Sequence, residues 1–279
     1  MRQIVVRTLR REFLLPDAEP TLTFLEAWPT IVGGPGVPEV VRIERREGSF
    51  VASFSGQTPV SGSIRYLTAW LDRRILALAV EDEVGAVALQ AALLTASSGS
   101  RVLLAGGRRT GKSLLAAHLF AAGWAFEADE RVFISANGVI AHPRPMRLPR
   151  SQVRRMPALA PLIEDAPSLD IDGKDLIYSL DPTRRGRDWR IASGPVAAVF
   201  FLDNAERTLS TLRRIGVDEA CARAMQLASM VHGVSVHGIA TLRAMLGNVP
   251  AFHLELGSPE SAIESVCHVL EGVGASPAH

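Results

Sequence analysis

Gly106-Gly107-Arg108-Arg109-Thr110-Gly111-Lys112-Ser113 fits the phosphate-loop pattern G-x-x-x-x-G-K-[ST]. The chain contains thirty basic residues, of which only Lys112 and Lys174 are lysines, so a lysine at this position is unlike the chain's general usage. A compact ammonium on a flexible stem reaches β- and γ-phosphates as a point charge, where a planar guanidinium fits poorly. Arg101-Val102-Leu103-Leu104-Ala105 reads as a buried strand that feeds the loop. Ser113 to Ala122 reads as a helix with apolar residues on most faces, and Gly123 as its stop. Strand, glycine-rich loop and helix N-terminus together make an anion site from backbone N–H groups. Gly106, Gly107, Arg108, Arg109, Thr110, Gly111, Lys112, Ser113 and Leu114 are therefore the expected nucleotide-phosphate contacts.

Working outward, 279 residues suffice for one large α/β domain or for a catalytic domain with a small appendage. A hydrophobic content of 47% supports a full core, and a formal net charge of +1 argues against a dedicated nucleic-acid binder. Cys221 and Cys267 are widely spaced and lack histidines at metal-ligand intervals, so neither a disulfide framework nor a zinc site is expected. The first residues carry no signal-peptide core. The longest apolar run, Val84 to Ala96, contains Gln90 and is too short to span a bilayer. A cytoplasmic protein with no membrane partner is the expectation.

Short strands are expected around residues 3–9, 39–45 and 50–54, split by turns such as Val32-Gly33-Gly34-Pro35-Gly36. Residues 64–80 read either as one helix or as a helix followed by a strand. From Val84 the apolar segments take α/β spacing: Ala86 to Leu94, Arg101 to Ala105, Ala125 to Ala128, Val132 to Ser135 and Val196 to Leu202 are strand candidates. Val132 to His142 reads as a hairpin about Ala136-Asn137-Gly138, which favours a mixed sheet. Residues 143–190, rich in Pro, Arg and Asp, are expected to be mostly loop. Helices are expected at 217–231, 237–246 and 258–271, the last opening with Ser258-Pro259-Glu260. The expected division is a small α+β domain over residues 1–82 and a phosphate-loop domain over residues 83–279.

A phosphate loop that transfers phosphoryl groups needs a metal partner and a positioned carboxylate. Two acids compete. Asp203 ends the apolar run Val199-Phe200-Phe201-Leu202, as the metal carboxylate of an ordinary phosphate-loop ATPase does. Asp129-Glu130 stands seventeen residues after Lys112, at the end of the strand that follows the loop helix. Spacing favours the pair: after strand, loop, helix and a second short strand the chain is back at the sheet edge where phosphates lie.

Gly106-x4-Gly111-Lys112-Ser113, Gly123-Trp124 and Ala128-Asp129-Glu130-x-Val132, with Pro143-Arg144-Pro145-Met146-Arg147-Leu148 beyond them, resemble the HPr kinase/phosphorylase group. They are more similar to its related proteins, which carry Asp-Glu for Asp-Asp and include kinases of ribosomally made peptides such as lasso peptides. The resemblance covers about residues 86–150. It implies an α/β fold shared with PEP carboxykinases, in which ATP and Mg²⁺ serve phosphorylation of a Ser hydroxyl on a peptide or small protein. Carried over, Lys112 would hold the β- and γ-phosphates, and Ser113 would ligate Mg²⁺. Asp129 would accept the proton of the substrate hydroxyl or help position it, and Glu130 would assist with the metal. Family analogy also implies a homo-oligomer.

The chain departs from that pattern at Gln90 and Arg109, and it lacks a second family signature, rich in Glu and Gly, after the acidic pair. Gln90 stands where the family has a His on the strand before the loop, and Gln cannot titrate. Arg109 stands where the family has a loop glycine. These departures keep open a catalytically silent, nucleotide-binding partner of a peptide-modifying assembly, and Asp203 keeps open an ordinary ATPase. Arg144, Arg147, Arg150, Arg154, Arg155, Arg184, Arg185, Arg187 and Arg190 read either as a mobile grip on an acidic peptide or as a solvated surface balanced by Glu164, Asp165, Asp170, Asp172 and Asp175. His232 and His237 are at poor metal spacing, and His118 in the loop helix is expected to pack.

Overall fold

A computed structural model describes residues 3–274 apart from 17–18, 28, 33–36, 55, 155, 171–172, 174, 206 and 230–235. The glycine-rich turn at 33–36, Arg155, Asp172 and His232 lie outside the described residues. The chain packs into two units, Met1–Asp82 with Pro143–Ile191, and Glu83–His142 with Ala192–His279.

The first unit begins with antiparallel strands Gln3–Arg7 and Arg11–Pro16, with Val37–Val40 parallel to the second of them. A meander of Arg42–Arg46, Ser49–Ser53 and Val60–Gly62 follows. Residues 64–80 then resolve as a single helix, Ile64–Asp82. Leu67, Leu71, Ile75 and Leu78 recur at the spacing of one helical face, and all four are buried. Leu71, Ile75 and Leu78 join Ile4, Phe13, Leu15, Phe24 and Phe54 in one core.

Residues 143–191 differ from expectation in two respects. They belong with the first unit, and they are not mostly loop: Met146–Pro149, Leu176–Leu180 and Ser168–Asp170 form a three-stranded antiparallel sheet. These strands are short and pair across long gaps in sequence, which leaves little local periodicity to read. Two of their arginines, Arg144 and Arg147, are neither a solvated surface nor a mobile grip, whereas Arg150, Arg154 and Arg190 are exposed. Arg144 pairs with Asp72 at its terminal nitrogen, Arg147 reaches the same carboxylate at 3.0 Å, and all three side chains are largely buried. Arg147 also donates to the Phe24 carbonyl at 2.8 Å and lies 3.9 Å over the Phe24 ring. Arg184 pairs with the buried Glu26, and Leu169 enters the core named above. Buried charges require such partners, and here they are supplied from residues 1–82.

Among the described residues the second unit carries a six-stranded sheet. Its order is Ala125–Asp129, Ala91–Thr95, Arg101–Ala105, Ala198–Asn204, Ala251–Leu256, Thr211–Ile215. The three middle strands Arg101–Ala105, Ala198–Asn204 and Ala251–Leu256 are parallel, and the flanking pairings are antiparallel. The sheet is thus mixed. Ala125–Asp129 runs opposite to its neighbour Ala91–Thr95, and so points the same way as Arg101–Ala105. Its carboxyl end therefore shares an edge with the carboxyl ends of the parallel strands, where open α/β sheets bind ligands.

The apolar run from Ala86 to Leu94 is not one strand. It breaks at Gln90 into Val87–Leu89, which belongs to a four-stranded sheet, and Ala91–Thr95 in the six-stranded one. The Gln90 N–H donates to the Leu227 carbonyl at 3.0 Å, and its own carbonyl accepts from Gly106 at 3.2 Å. The chain thus changes sheets directly beneath the loop. Val132–Ser135 and Gly138–Ala141 form the expected hairpin in the four-stranded sheet. One guanidinium locks the far edge: Arg101 forms two bonds to the buried Glu127, at 2.9 and 2.7 Å, and reaches the carbonyls of Val139, Ala192 and Pro195. Helices Val217–Leu227, Val236–Asn248 and Pro259–Gly274 follow.

Candidate functional site

The loop between Arg101–Ala105 and the helix Lys112–Ala121 is held by its own residues. Thr110 donates its hydroxyl to the Gly107 carbonyl at 3.0 Å. A Cβ on Gly106 would come within 2.6 Å of that hydroxyl oxygen, so only glycine lets the loop fold back on Thr110. Gly111 caps the helix at φ +90, a conformation that L side chains rarely adopt. Arg109 has φ +65, so the residue that stands in for a glycine also takes up a glycine-like conformation. At its other end the helix stops in a Schellman motif: Trp124 N–H bonds to the Leu119 carbonyl and Gly123 N–H to Phe120, each at 3.1 Å. The helix N-terminus is left facing the loop, with its partial positive charge available to an anion.

Lys112 and Asp129 are brought together. The Lys112 ammonium donates to Asp129 Oδ1, and the two side chains are 7% and 4% exposed. Register explains the meeting. Asp129 lies opposite Ala92, and Ala92 opposite Leu104, one residue before the strand gives way to the loop. Asp129 is thus two strands from the loop strand and level with its end. Glu130 follows in a turn at φ +127, its N–H bonded to the Ala91 carbonyl at 3.0 Å. That backbone conformation is rare for a residue with a side chain, and such outliers concentrate at functional sites. Ser113, partly buried, occupies the first turn of the loop helix.

Arg131 comes next and was not among the residues singled out from sequence. Its guanidinium is partly buried and donates to the Glu130 carbonyl at 3.1 Å. Burial, and then the charge of Arg108, pull it below the ordinary arginine pKa. The available signal was its place, directly between an acidic pair and a buried strand.

Asp203 is in a different situation. It is exposed, accepts from Arg223 at 3.2 Å and pairs with His253 Nε2 at 2.7 Å. A Cβ on Gly106 would lie 3.3 Å from the neighbouring Leu202, while Asp203 itself is engaged by Arg223 and His253. His118 is partly buried, and burial pulls its pKa down. Cys221 and Cys267 are free thiols, each pushed up by burial. No helix of the described residues is long and apolar enough to cross a membrane.

The hydroxyl of Ser113 and the carboxylates of Asp129 and Glu130 are hard oxygen donors that suit Mg²⁺. Among the described residues no group of three or more His, Cys, Asp or Glu is arranged to hold a metal. A cation at the loop would therefore complete its shell with phosphate oxygens and water, which is the habit of Mg²⁺.

No protein-family profile matches the chain, and no curated protein does. Among solved structures, the Hpr(Ser) kinase/phosphatase from Coxiella burnetii is similar at 16% identity with a TM-score of 0.32, over 67% of this chain and 94% of that chain. That likeness is distant, and the functional reading rests on the site's own residues.

Proposed function

We propose that the second unit binds ATP at the loop and transfers its terminal phosphoryl group to a Ser hydroxyl of a peptide or small protein. The observation that carries this reading is the buried contact between Lys112 and Asp129. It sets a carboxylate one hydrogen bond from the ammonium that a phosphate loop uses for the β- and γ-phosphates.

In this reading the backbone N–H groups of residues 107–113 cradle the phosphates, and Lys112 moves from Asp129 onto the β- and γ-phosphate oxygens. Mg²⁺, held through Ser113, Asp129 and Glu130, would neutralise phosphate charge when bound. Asp129 accepts the proton of the acceptor hydroxyl. The hydroxyl oxygen bonds to the γ-phosphorus as the bond from that phosphorus to the bridging oxygen breaks, and ADP departs with the electron pair. Catalysis of this kind comes from positioning and charge stabilisation in a dry site.

A second reading, nucleotide binding without transfer, is favoured by Gln90. It occupies the sheet break beneath the loop with a side chain that cannot exchange a proton.

Calorimetric titration of the whole chain and of Lys112→Ala with MgATP tests the proposal, followed by incubation with Ser-containing peptides and mass analysis. Tight binding lost in the variant, and a phosphate mass shift on a peptide, support kinase action. Binding without any mass shift selects the silent reading. Absence of binding to the wild type rejects both.

A further inference from the structure

At the end of the six-stranded sheet remote from the loop, a cavity of about 620 Å³ opens between the edge strand Thr211–Ile215, its neighbour Ala251–Leu256 and the helix Pro259–Gly274. Leu212, Pro250, Phe252 and Val269 give it apolar walls. Register puts the strand residues together: Arg214 lies opposite Phe252 and Leu212 opposite Leu254, so alternation sets them on one face of the sheet. The Phe252 ring stacks on Phe200, centroids 5.5 Å apart and planes 22° from parallel, which holds it as a flat wall. The loop is at the other end of the same strand, where a Cβ on Gly111 would lie 2.8 Å from Leu256. Four strand residues separate Phe252 from Leu256, a distance of about 13 Å.

Two nitrogen-bearing side chains, Arg214 and His268, complete the lining, and both are exposed at its rim. Arg213, next in the strand, points to the opposite face and is held by Glu219 at 2.9 and 2.7 Å. Among the described residues no carboxylate pairs with Arg214 or with His268. Gly272 leaves the mouth open, since a Cβ placed there would meet nothing within 4 Å. The volume falls within the roughly 300–1,000 Å³ of small-molecule pockets, which pair apolar walls with a few placed polar groups.

We propose that this cavity binds a small aromatic acid, with its ring against Phe252 and its acidic group on Arg214. A guanidinium presents parallel N–H donors that match two oxygens of one acidic group. The imidazole of His268 adds a ring N–H donor on the helix side of the same cavity. Leu212, Pro250 and Val269 cover the apolar body of the ligand and exclude water from it, so ring and anion are recognised together. A second copy of this edge strand is a poor occupant, because antiparallel pairing would set arginines against arginines. The site is separate from the phosphate loop, and the proposal stands whether or not the loop binds nucleotide.

The test titrates the whole folded chain, by fluorescence, with anilinonaphthalene sulfonate, an aromatic anion that brightens on apolar surface. Its uncharged counterpart, phenylnaphthylamine, is titrated in parallel. Wild type is expected to show one saturable site that persists in saturating MgATP and in Lys112→Ala. R214Q weakens the sulfonate about fivefold or more and the amine less than about twofold, because only the sulfonate uses the guanidinium. G272F places a ring in the open mouth and weakens both probes about tenfold or more. Both substitutions are at exposed positions, and the thermal midpoint of each variant checks that it is folded. Unchanged sulfonate affinity in R214Q overturns the anion site. Unchanged affinity for both probes in G272F, or displacement of the sulfonate by MgATP, places the probes elsewhere and overturns the cavity assignment. Absence of saturable binding to wild type overturns the proposal and leaves the loop reading untouched.

Discussion

The ammonium of Lys112 rests on the carboxylate of Asp129, and both side chains are buried. In the nucleotide-free chain each group is the other's counter-charge. Lys112→Ala should therefore lower stability as well as remove nucleotide binding, because it strands a buried carboxylate. Breaking one side of a buried pair costs about 3–5 kcal/mol. Denaturant unfolding of the two proteins without nucleotide reads this directly, and equal midpoints would contradict it.

Asp129→Asn separates binding from transfer. The amide keeps the shape and one coordinating oxygen but cannot accept the proton, so MgATP binding should persist, weakened only by the poorer Mg²⁺ ligand. Transfer to a Ser peptide should fall by about 10²–10⁴, the usual contribution of a positioned acid or base. A variant that transfers phosphate at the wild-type rate would remove Asp129 from the mechanism.

Asp203→Ala distinguishes the kinase reading from an ordinary ATPase. Asp203 is exposed and already engaged by Arg223 and His253. Its loss should leave MgATP affinity within about twofold, since exposed pairs contribute little. Loss of Mg²⁺-dependent turnover in this variant, with turnover retained in Asp129→Ala, would reverse the assignment.

Asp72 should give the first unit a measurable acid dependence. Burial pushes its carboxyl up, but the charges and hydrogen bonds of Arg144 and Arg147 pull it down further, below the ordinary carboxylate range. A depressed native pKa means that the unfolded state binds the proton first. The stabilisation is therefore present above the unfolded pKa of about 3.9 and is lost as pH falls towards the native value. Asp72→Asn should cost about 3–5 kcal/mol at pH 7 by leaving two buried guanidiniums without their anion. The gap between variant and wild type should narrow when unfolding is measured at pH 3. A gap of constant size would assign the effect to packing.

Arg109→Gly should not destabilise the chain. A side chain at φ +65 costs about 1–2 kcal/mol relative to glycine, which offsets glycine's extra freedom in the unfolded state. Thermal melting of the variant at or above the wild-type midpoint is expected, whereas a clear drop would mean that the arginine side chain holds the loop.

The loop was legible because its determinants are consecutive. Gly106, Gly111, Lys112 and Ser113 lie within eight residues, and a close approach to Thr110 and a left-handed helix cap leave the first two little choice but glycine. The single helix at 64–82 was harder to read, since propensity alone did not separate helix from strand until Leu71, Ile75 and Leu78 found a common core. The sheet within residues 143–191 was missed because strands of three to five residues carry too little periodicity on their own. The break at Gln90 was invisible for a related reason. An unbroken apolar run is what two buried strands in different sheets look like when read end to end.

What the amino-acid order determined alone is the local chemistry: the phosphate-loop pattern, the helix behind it with its Gly123 stop, the hairpin at residues 132–141 and the acidic pair at the end of the next strand. Each depends on neighbours a few positions away, where backbone geometry and side-chain type suffice. Only the tertiary structure decided which charges meet. Asp129 rather than Asp203 reaches Lys112 because strand register sets it level with the loop. Arg144 and Arg147 find Asp72 more than seventy residues earlier in the chain, and with it residues 143–191 pack against a unit from which sixty residues separate them in sequence. Buried charge tolerates few arrangements, and which carboxylate satisfies which cation is settled by burial and register, neither of which can be read from composition or spacing.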